Sequence, residues 1–184
     1  NILKTDNKNN LIGDMTDIRG FENSIKALDL DIKNKNILLV GAGGIGTSLS
    51  HYFLTEGVKK VRIHDVNKEK SEELCETIRN KSPKFNFKIW NYNKNNFDFL
   101  INASPARMNN EYPVHQKIIK NSKVVVDFVL SNKKTKLLEL AKKNNSKIIS
   151  GYEILINQIP FMLKFFGFKK ISKSEMGQIK NKYI

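Results

Sequence analysis

The chain has 184 residues, of which 40% are hydrophobic and 27% charged, and carries a formal net charge of +14. That is enough apolar material for one domain of ordinary size with a real core, and the charged fraction is normal for a soluble protein. A lone cysteine, Cys75, excludes an intrachain disulfide, and His51, His64 and His115 show no ligand spacing, so no metal site is expected. The positive charge is scattered with asparagine over loops and helix faces, as in Asp31–Asn36 and Lys81–Asn96, with no block of five or six like charges. It reads as a solvated surface that also attracts anionic cofactors and substrates, and not as a nucleic-acid footprint. No signal peptide is visible in the polar start NILKTDNKNNLIGD. The most apolar segment, Tyr152–Phe168, contains Glu153, Pro160 and Lys164 and is too short to span a bilayer, so no membrane partner is expected and the location is read as cytoplasmic.

In chain order, the residues up to Met15 are polar and turn-rich. Ile18, Phe21, Ile25 and Leu28 then recur at helical spacing, with Thr16 or Asp17 as the expected N-cap. Ile37–Val40 predicts a buried strand and Gly44–Glu56 a helix with Ile45, Leu49 and Phe53 on one face, ended by Gly57. Val61–His64 predicts a strand, and Lys68–Asn80 a charged helix burying Leu74 and Ile78, with Cys75 as a small buried or half-buried side chain. Phe85–Trp90 alternates as a strand or edge strand would, Phe97–Asn102 is short and apolar, and Lys123–Val129 is the clearest β run. A helix over Thr135–Lys143, a short strand over Lys147–Ser150 and an apolar helix over Gly151–Phe168 complete the pattern. Strands alternating with helices predict an α/β fold, a doubly wound Rossmann-type parallel sheet with flanking helices.

The segment ILLVGAGGIGTSLSHYFLTEGVKKVRIHD, Ile37 to Asp65, carries the chemistry. Gly41, Gly43 and Gly46 stand in G-x-G-x-x-G spacing between a strand and a helix, and the residues from Gly41 through Ala42, Gly43, Gly44 and Ile45 to Gly46 form the candidate phosphate loop. Gly41 permits the tight turn, Gly43 a close backbone approach to a pyrophosphate, and Gly46 the packing of helix on strand. The helix N-terminus adds N–H groups and a positive dipole. Asp65, 19 residues after Gly46, ends the second strand where a carboxylate can accept from ribose hydroxyls. These features together predict a dinucleotide cofactor.

In such a sheet chemistry sits at the carboxyl ends of the strands. Four segments are expected to converge there: the loop at Gly41–Gly46, Asn102–Met108, Asp127–Asn132 and the turn at Gly151. Asn102 and Ser104 can hydrogen-bond a cofactor or substrate, with turn chemistry as the plainer role of Asn-Ala-Ser-Pro. Gln158, a polar group in a greasy helix, either satisfies a buried backbone group or points at a ligand.

Six segments, from about Asn9 to Phe168, together resemble the shikimate dehydrogenase family, including the quinate/shikimate dehydrogenases. GDMTDIRGF is similar to the family's G-x-N-T-D-G-x-G-F, LLVGAGGIGTS to its glycine loop, and INASPARM to I-N-A-T-P-x-G-M. VVVDFVLSNKKTKLL is similar to V-x-D-x-x-Y-x-P-x-x-T-P-L-L, SGYEILINQ to D-G-x-x-M-L-x-x-Q, and HDVNKEK takes the place of the N-R-T-x-x-K cofactor loop. The resemblance implies a reversible reduction of 3-dehydroshikimate to shikimate with NAD or NADP, in aromatic amino-acid biosynthesis. It implies Asp17 as the catalytic and substrate-binding carboxylate that pairs with a Lys, and Gln158 as a substrate contact. It places Asn102, Ala103 and Ser104 beside the nicotinamide, with the backbone of Gly151 approaching it.

Residues 1–16 are accordingly expected to be the remnant of an upstream substrate domain, and 17–184 the NAD(P)-binding domain closed by a C-terminal helix. None of the chain's lysines lies in a matching motif. The chain departs from the family at Met15, Arg107, Leu130, Asn132 and Ser150, and has Asp65 and Val66 in place of Asn-Arg. A carboxylate there repels a 2′-phosphate, which favours NAD, while Lys68 and Lys70 weigh the other way. The partner is thus a small molecule (shikimate or 3-dehydroshikimate), a homodimer is the assembly kept open, and the alternative is a non-catalytic NAD(P)-binding module.

Overall fold

The structure is a computed structural model and describes residues 1–93, 96–105, 112–131 and 133–183. Two compact units emerge, one of Asn1–Leu30 with Tyr152–Ile184 and one of Asp31–Gly151. Residues 1–16 thus share a unit with the helix that follows them and with the C-terminal helices.

The larger unit is built on a parallel six-stranded sheet. Its strands are β3 (Asn36–Val40), β4 (Lys60–His64), β5 (Phe87–Ile89), β6 (Phe97–Asn102), β7 (Ser122–Asp127) and β8 (Lys147–Ser150). They lie in the order β5-β4-β3-β6-β7-β8, so the winding direction reverses between β3 and β6. That reversal is the topological switch point, where the two connecting loops part and leave a crevice at the carboxyl ends of the strands. Helices α2 (Gly44–Thr55), α3 (Lys68–Lys81), α4 (Gln116–Lys120) and α5 (Lys136–Lys143) make the crossovers and cover the sheet.

Burial follows the sequence pattern closely. Ile37, Leu38 and Leu39 of β3 and Leu100 and Ile101 of β6 are fully buried, as central parallel strands require. Leu49 and Phe53 of α2 and Ile78 of α3 are also fully buried, Leu74 and Cys75 nearly so. The far face is filled by Leu38, Val40, Trp90, Phe97, Leu100, Ile118, Leu137 and their neighbours. Gly57 takes a positive φ of 67° just past the end of α2, as expected of a residue closing a helix. Of the two roles open to Phe85–Trp90, the structure shows an edge strand, shortened to β5 at one end of the sheet. Helix α4 escaped the sequence reading because five residues are too few to show a period.

The smaller unit contains an antiparallel hairpin, β1 (Ile2–Thr5) and β2 (Leu11–Asp14), with helices α1 (Thr16–Ala27), α6 (Gly151–Phe165) and α7 (Lys173–Tyr183). The sequence suggested only turns before Met15. The strands were hidden because Leu3 and Leu11 face outward and the Asp6–Asn10 loop is polar, its backbone tied to the Asp6 carboxylate from Lys8 and Asn10. Neither Thr16 nor Asp17 is the N-cap of α1: Met15 takes that place without a side-chain bond, and Thr16 turns its hydroxyl elsewhere. Helix α1 buries Phe21 and Ile25 and approaches α6 closely at Gly20, where a Cβ would collide with the Ile154 carbonyl. Among the described residues no helix is long and apolar enough to cross a membrane.

Candidate functional site

The loop after β3 is shaped by what its glycines lack. Gly41 has φ of +102°, and a Cβ there would lie 2.7 Å from the Ala103 carbonyl carbon. The turn out of β3 therefore packs backbone to backbone against the turn out of β6, across the switch point. A Cβ on Gly46 would strike the Gly41 carbonyl, which fixes the start of α2 under the loop. Gly43 and Gly44 are the opposite case, since a Cβ at either meets nothing within 4 Å. They are exposed, and Gly43 caps α2 without any side-chain bond. The first turn of α2 thus presents its N–H groups and its positive dipole to an open front. Such a front fits the pyrophosphate of a dinucleotide.

Asp65, at the end of β4, is half-buried and ties this loop from the side. Its Oδ2 accepts from the Ala42 N–H at 2.7 Å and its Oδ1 from the Asn67 N–H at 2.8 Å. The N–H of Ala42, a residue of the candidate phosphate loop, is thus engaged within the protein. A carboxylate offers about four acceptor positions, so two remain for ribose hydroxyls. Val66, which follows, is 99% exposed and supplies no charge.

At the ends of β6 and β7 a buried polar network braces the second half of the crevice. The Asn102 amide donates to Asp127 Oδ1 at 2.9 Å and accepts from the Ser104 hydroxyl at 2.6 Å. The Thr135 hydroxyl donates to Asp127 Oδ2 at 2.6 Å, and the Val129 N–H to Oδ1 at 3.2 Å. Asp127 is only 1% exposed. Burial pushes its carboxyl above the ordinary range, while the bonds from Thr135, Val129 and Asn102 pull it back. Asn102 is itself buried, so its side chain positions the Ala103–Ser104 backbone. Gly151 completes the set: a Cβ there would lie 2.6 Å from the Val129 carbonyl oxygen. The expected convergence of four segments is therefore present in the described parts of each; Arg107, Met108 and Asn132 lie outside the described residues.

The remaining predicted residues, Asp17 and Gln158, lie together in the smaller unit. The buried Gln158 Oε1 is 2.6 Å from the Thr16 hydroxyl and 3.4 Å from the Asn1 side-chain nitrogen. That same nitrogen donates to Asp17 Oδ1 at 2.9 Å, and Asn1 Oδ1 accepts from the Thr16 N–H at 2.8 Å. Asn1 and Thr16 were not singled out in the sequence. An asparagine in a Lys/Asn-rich opening carries no signal, and Thr16 read as a cap. The cluster presents a half-buried carboxylate and a fixed amide, a set able to hold hydroxyl groups and to move a proton.

Comparison with known proteins agrees with this architecture. The family model described as shikimate/quinate 5-dehydrogenase matches residues 23–132. A curated shikimate dehydrogenase (NADP(+)) of Methanococcus aeolicus is 32% identical over 170 residues, covering 86% of this chain and 58% of the relative. One of the same name from Caldanaerobacter subterraneus subsp. tengcongensis is 30% identical over 165 residues, covering 84% and 58%. A crystal structure of a shikimate dehydrogenase in complex with NADP+ superposes with a TM-score of 0.81 at 26% identity, covering 99% of this chain and 66% of that one. The chain thus spans a little over half the length of these curated relatives. On the family match and the shared doubly wound sheet, the chain belongs to the shikimate/quinate 5-dehydrogenase family.

Proposed function

We propose that this chain is the cofactor-binding part of a nicotinamide-dependent oxidoreductase that interconverts 3-dehydroshikimate and shikimate. The observation that carries the reading is the open, uncapped α2 N-terminus at Gly43–Gly44, flanked by the Asp65 carboxylate. When bound, the nicotinamide supplies or accepts the hydride. Each ketone reduced also takes up one proton at oxygen, and Asp17 is the group here that would hold the resulting hydroxyl and relay that proton, with a cation from outside the matched motifs. Gln158, locked by Thr16 and Asn1, would fix a second hydroxyl of the substrate. Asn102 would act through the Ala103–Ser104 backbone beside the nicotinamide, and Gly151 would keep the opposite wall thin. We place the reaction in the cytoplasm.

The curated relatives are named for NADP(+), yet the groups around Asp65 favour NAD. A carboxylate bound to its own loop backbone cannot swing away from a 2′-phosphate, and exposed Val66 offers no cation to clamp one. Parallel titrations of NAD and NADP against the chain and its Asp65→Asn variant test this. NAD is expected to bind the parent more tightly, and the variant to narrow the gap. Tighter NADP binding by the parent overturns the assigned role of Asp65. The chain by itself is expected to bind cofactor without turnover, and shikimate oxidation by these 184 residues alone would sink that part of the reading.

A further inference from the structure

Beyond the loop and its acid, the carboxyl edge of the sheet carries an aromatic group that the proposed reaction leaves unused. Tyr92, just past β5, is 62% exposed and holds a φ of +62°, an unfavourable conformation for a bulky side chain. Its ring is nevertheless fixed on two sides. The phenol oxygen lies 3.1 Å from His64 Nδ1, and the ring lies over Trp90 at 4.5 Å between centroids with a 40° tilt. The imidazole of His64 meets both rings edge-on, at 6.0 Å from Trp90 and 5.6 Å from Tyr92. Trp90 anchors the group in the core, with its backbone N–H on the Ile63 carbonyl and its ring edge-on to Phe97. Burial holds the His64 imidazole below its ordinary range, with Asp65 pulling it up, so the neutral ring keeps an acceptor for the phenol.

The position of this group gives it a meaning. His64 is the last residue of β4: its carbonyl accepts from the Gly41 N–H at 2.7 Å, and the next residue is Asp65. In a doubly wound sheet the pyrophosphate sits at the first loop and the adenosine ribose at the end of the second strand. The base continues outward from there, toward edge strand β5 and the residues that follow it. A flat heterocycle gains most from a rigid aromatic face, and the neighbouring Val66 provides no cation to cover one.

We propose that Tyr92, braced by Trp90 and His64, is the platform on which the adenine ring of the cofactor stacks. The proposal rests on the dinucleotide reading above. Trp90 is the chain's one tryptophan, so its fluorescence reports the platform directly. The test is a titration of the 184-residue chain and of its Tyr92→Ala and Tyr92→Phe variants with NAD and with ADP-ribose, followed at that signal and by calorimetry. ADP-ribose carries the adenosine half and no nicotinamide.

Both ligands are expected to change the Trp90 emission of the parent. Tyr92→Ala is expected to weaken both by about 5- to 150-fold, the range for loss of one base–aromatic stack. Tyr92→Phe, which keeps the ring and loses the bond to His64, is expected to stay near the parent. Parent-like or tighter binding by Tyr92→Ala overturns the platform and leaves the functional reading intact. A Phe variant as weak as the Ala variant assigns the effect to the hydroxyl and overturns stacking. A parent chain that binds neither ligand overturns the functional reading and this one together.

Discussion

At the glycine loop the working groups are backbone, whereas around Gln158 they are side chains. The loop from Gly41 to Gly46 lies within six consecutive residues, and its form depends on the absence of Cβ atoms at two of them. The cluster of Asn1, Thr16, Asp17 and Gln158 draws its amides from positions 157 residues apart and depends on hydroxyl, amide and carboxylate groups meeting. A backbone site fails by steric collision, and a side-chain site by loss of partners. The two failures differ in size and in what they damage.

The largest effect is expected at Gly46. An alanine there must displace the Gly41 carbonyl, so Gly46→Ala should cost about 3 kcal/mol or more, at the upper end of overpacking. In a chain of this size that lowers the thermal midpoint by roughly 6–12 °C. Gly43→Ala makes the contrast sharp. Its backbone, at φ −80° and ψ −164°, suits any residue, and the added methyl meets nothing. Alanine caps a helix less well than glycine, so the variant's stability should fall by about 0.5–1 kcal/mol, well short of Gly46→Ala. NAD affinity should nevertheless fall by tenfold or more, about 1.4 kcal/mol, because the methyl occupies the front of the loop. Equal midpoints for the two variants would erase the distinction between packing glycine and open glycine.

Asp127 comes next, and it belongs to the side-chain mode although it lies in the larger unit. Asp127→Ala strips the buried Asn102 amide of its acceptor, at about 1–3 kcal/mol, while the half-buried Thr135 hydroxyl can turn to water. Calorimetric unfolding should show a loss between those of Gly46→Ala and Thr16→Val. Thr16→Val is expected to cost about 1–2 kcal/mol, since it keeps the shape and deprives the buried Gln158 oxygen of its 2.6 Å partner. Asp17→Asn, at a half-buried position with an amide neighbour, should leave the midpoint nearly unchanged. If Thr16→Val proved as neutral as Asp17→Asn, the cluster would not be a cooperative unit.

The same contrast explains what could be read from the chain. A backbone site is written in consecutive residues, so Gly41–Gly46, the flanking strand and helix, and Asp65 were legible together, as was the parallel, doubly wound character of the sheet. Asp127 was legible as the start of a segment at a strand's carboxyl end but not as a buried brace, because burial of its carboxylate depends on strands β6 and β7 lying side by side. Asn1 and Thr16 were not legible: their role arises from bonds to Gln158 across the folded smaller unit. The hairpin of β1 and β2 was missed for a related reason, since Leu3 and Leu11 face outward and Ile2 is the one apolar residue of the two strands that is buried. Tyr92 fell between these cases, a single aromatic whose partners His64 and Trp90 come from two different strand ends.

The smallest effect is expected at Cys75, which serves neither mode and tests how tightly α3 is packed on the sheet. Burial pushes this thiol up to about 11, with Arg79 and Arg62 pulling the other way. In the unfolded chain a thiol titrates near about 8.5. The folded state therefore favours the protonated form, and this contribution to stability is complete below about pH 8.5 and fades as pH rises toward 11. Cys75→Ala removes that dependence and costs a small packing loss at every pH. The gap in midpoint between parent and variant should stay constant from pH 6 to 8, then shrink steadily above pH 9. Lysine deprotonation acts on both proteins alike and cancels in the difference. The thiol should also resist a disulfide reagent at pH 8 until the chain is unfolded. A gap that stays flat to pH 11, with rapid labelling of the folded chain, would show that water reaches Cys75 and that α3 packs loosely on the sheet.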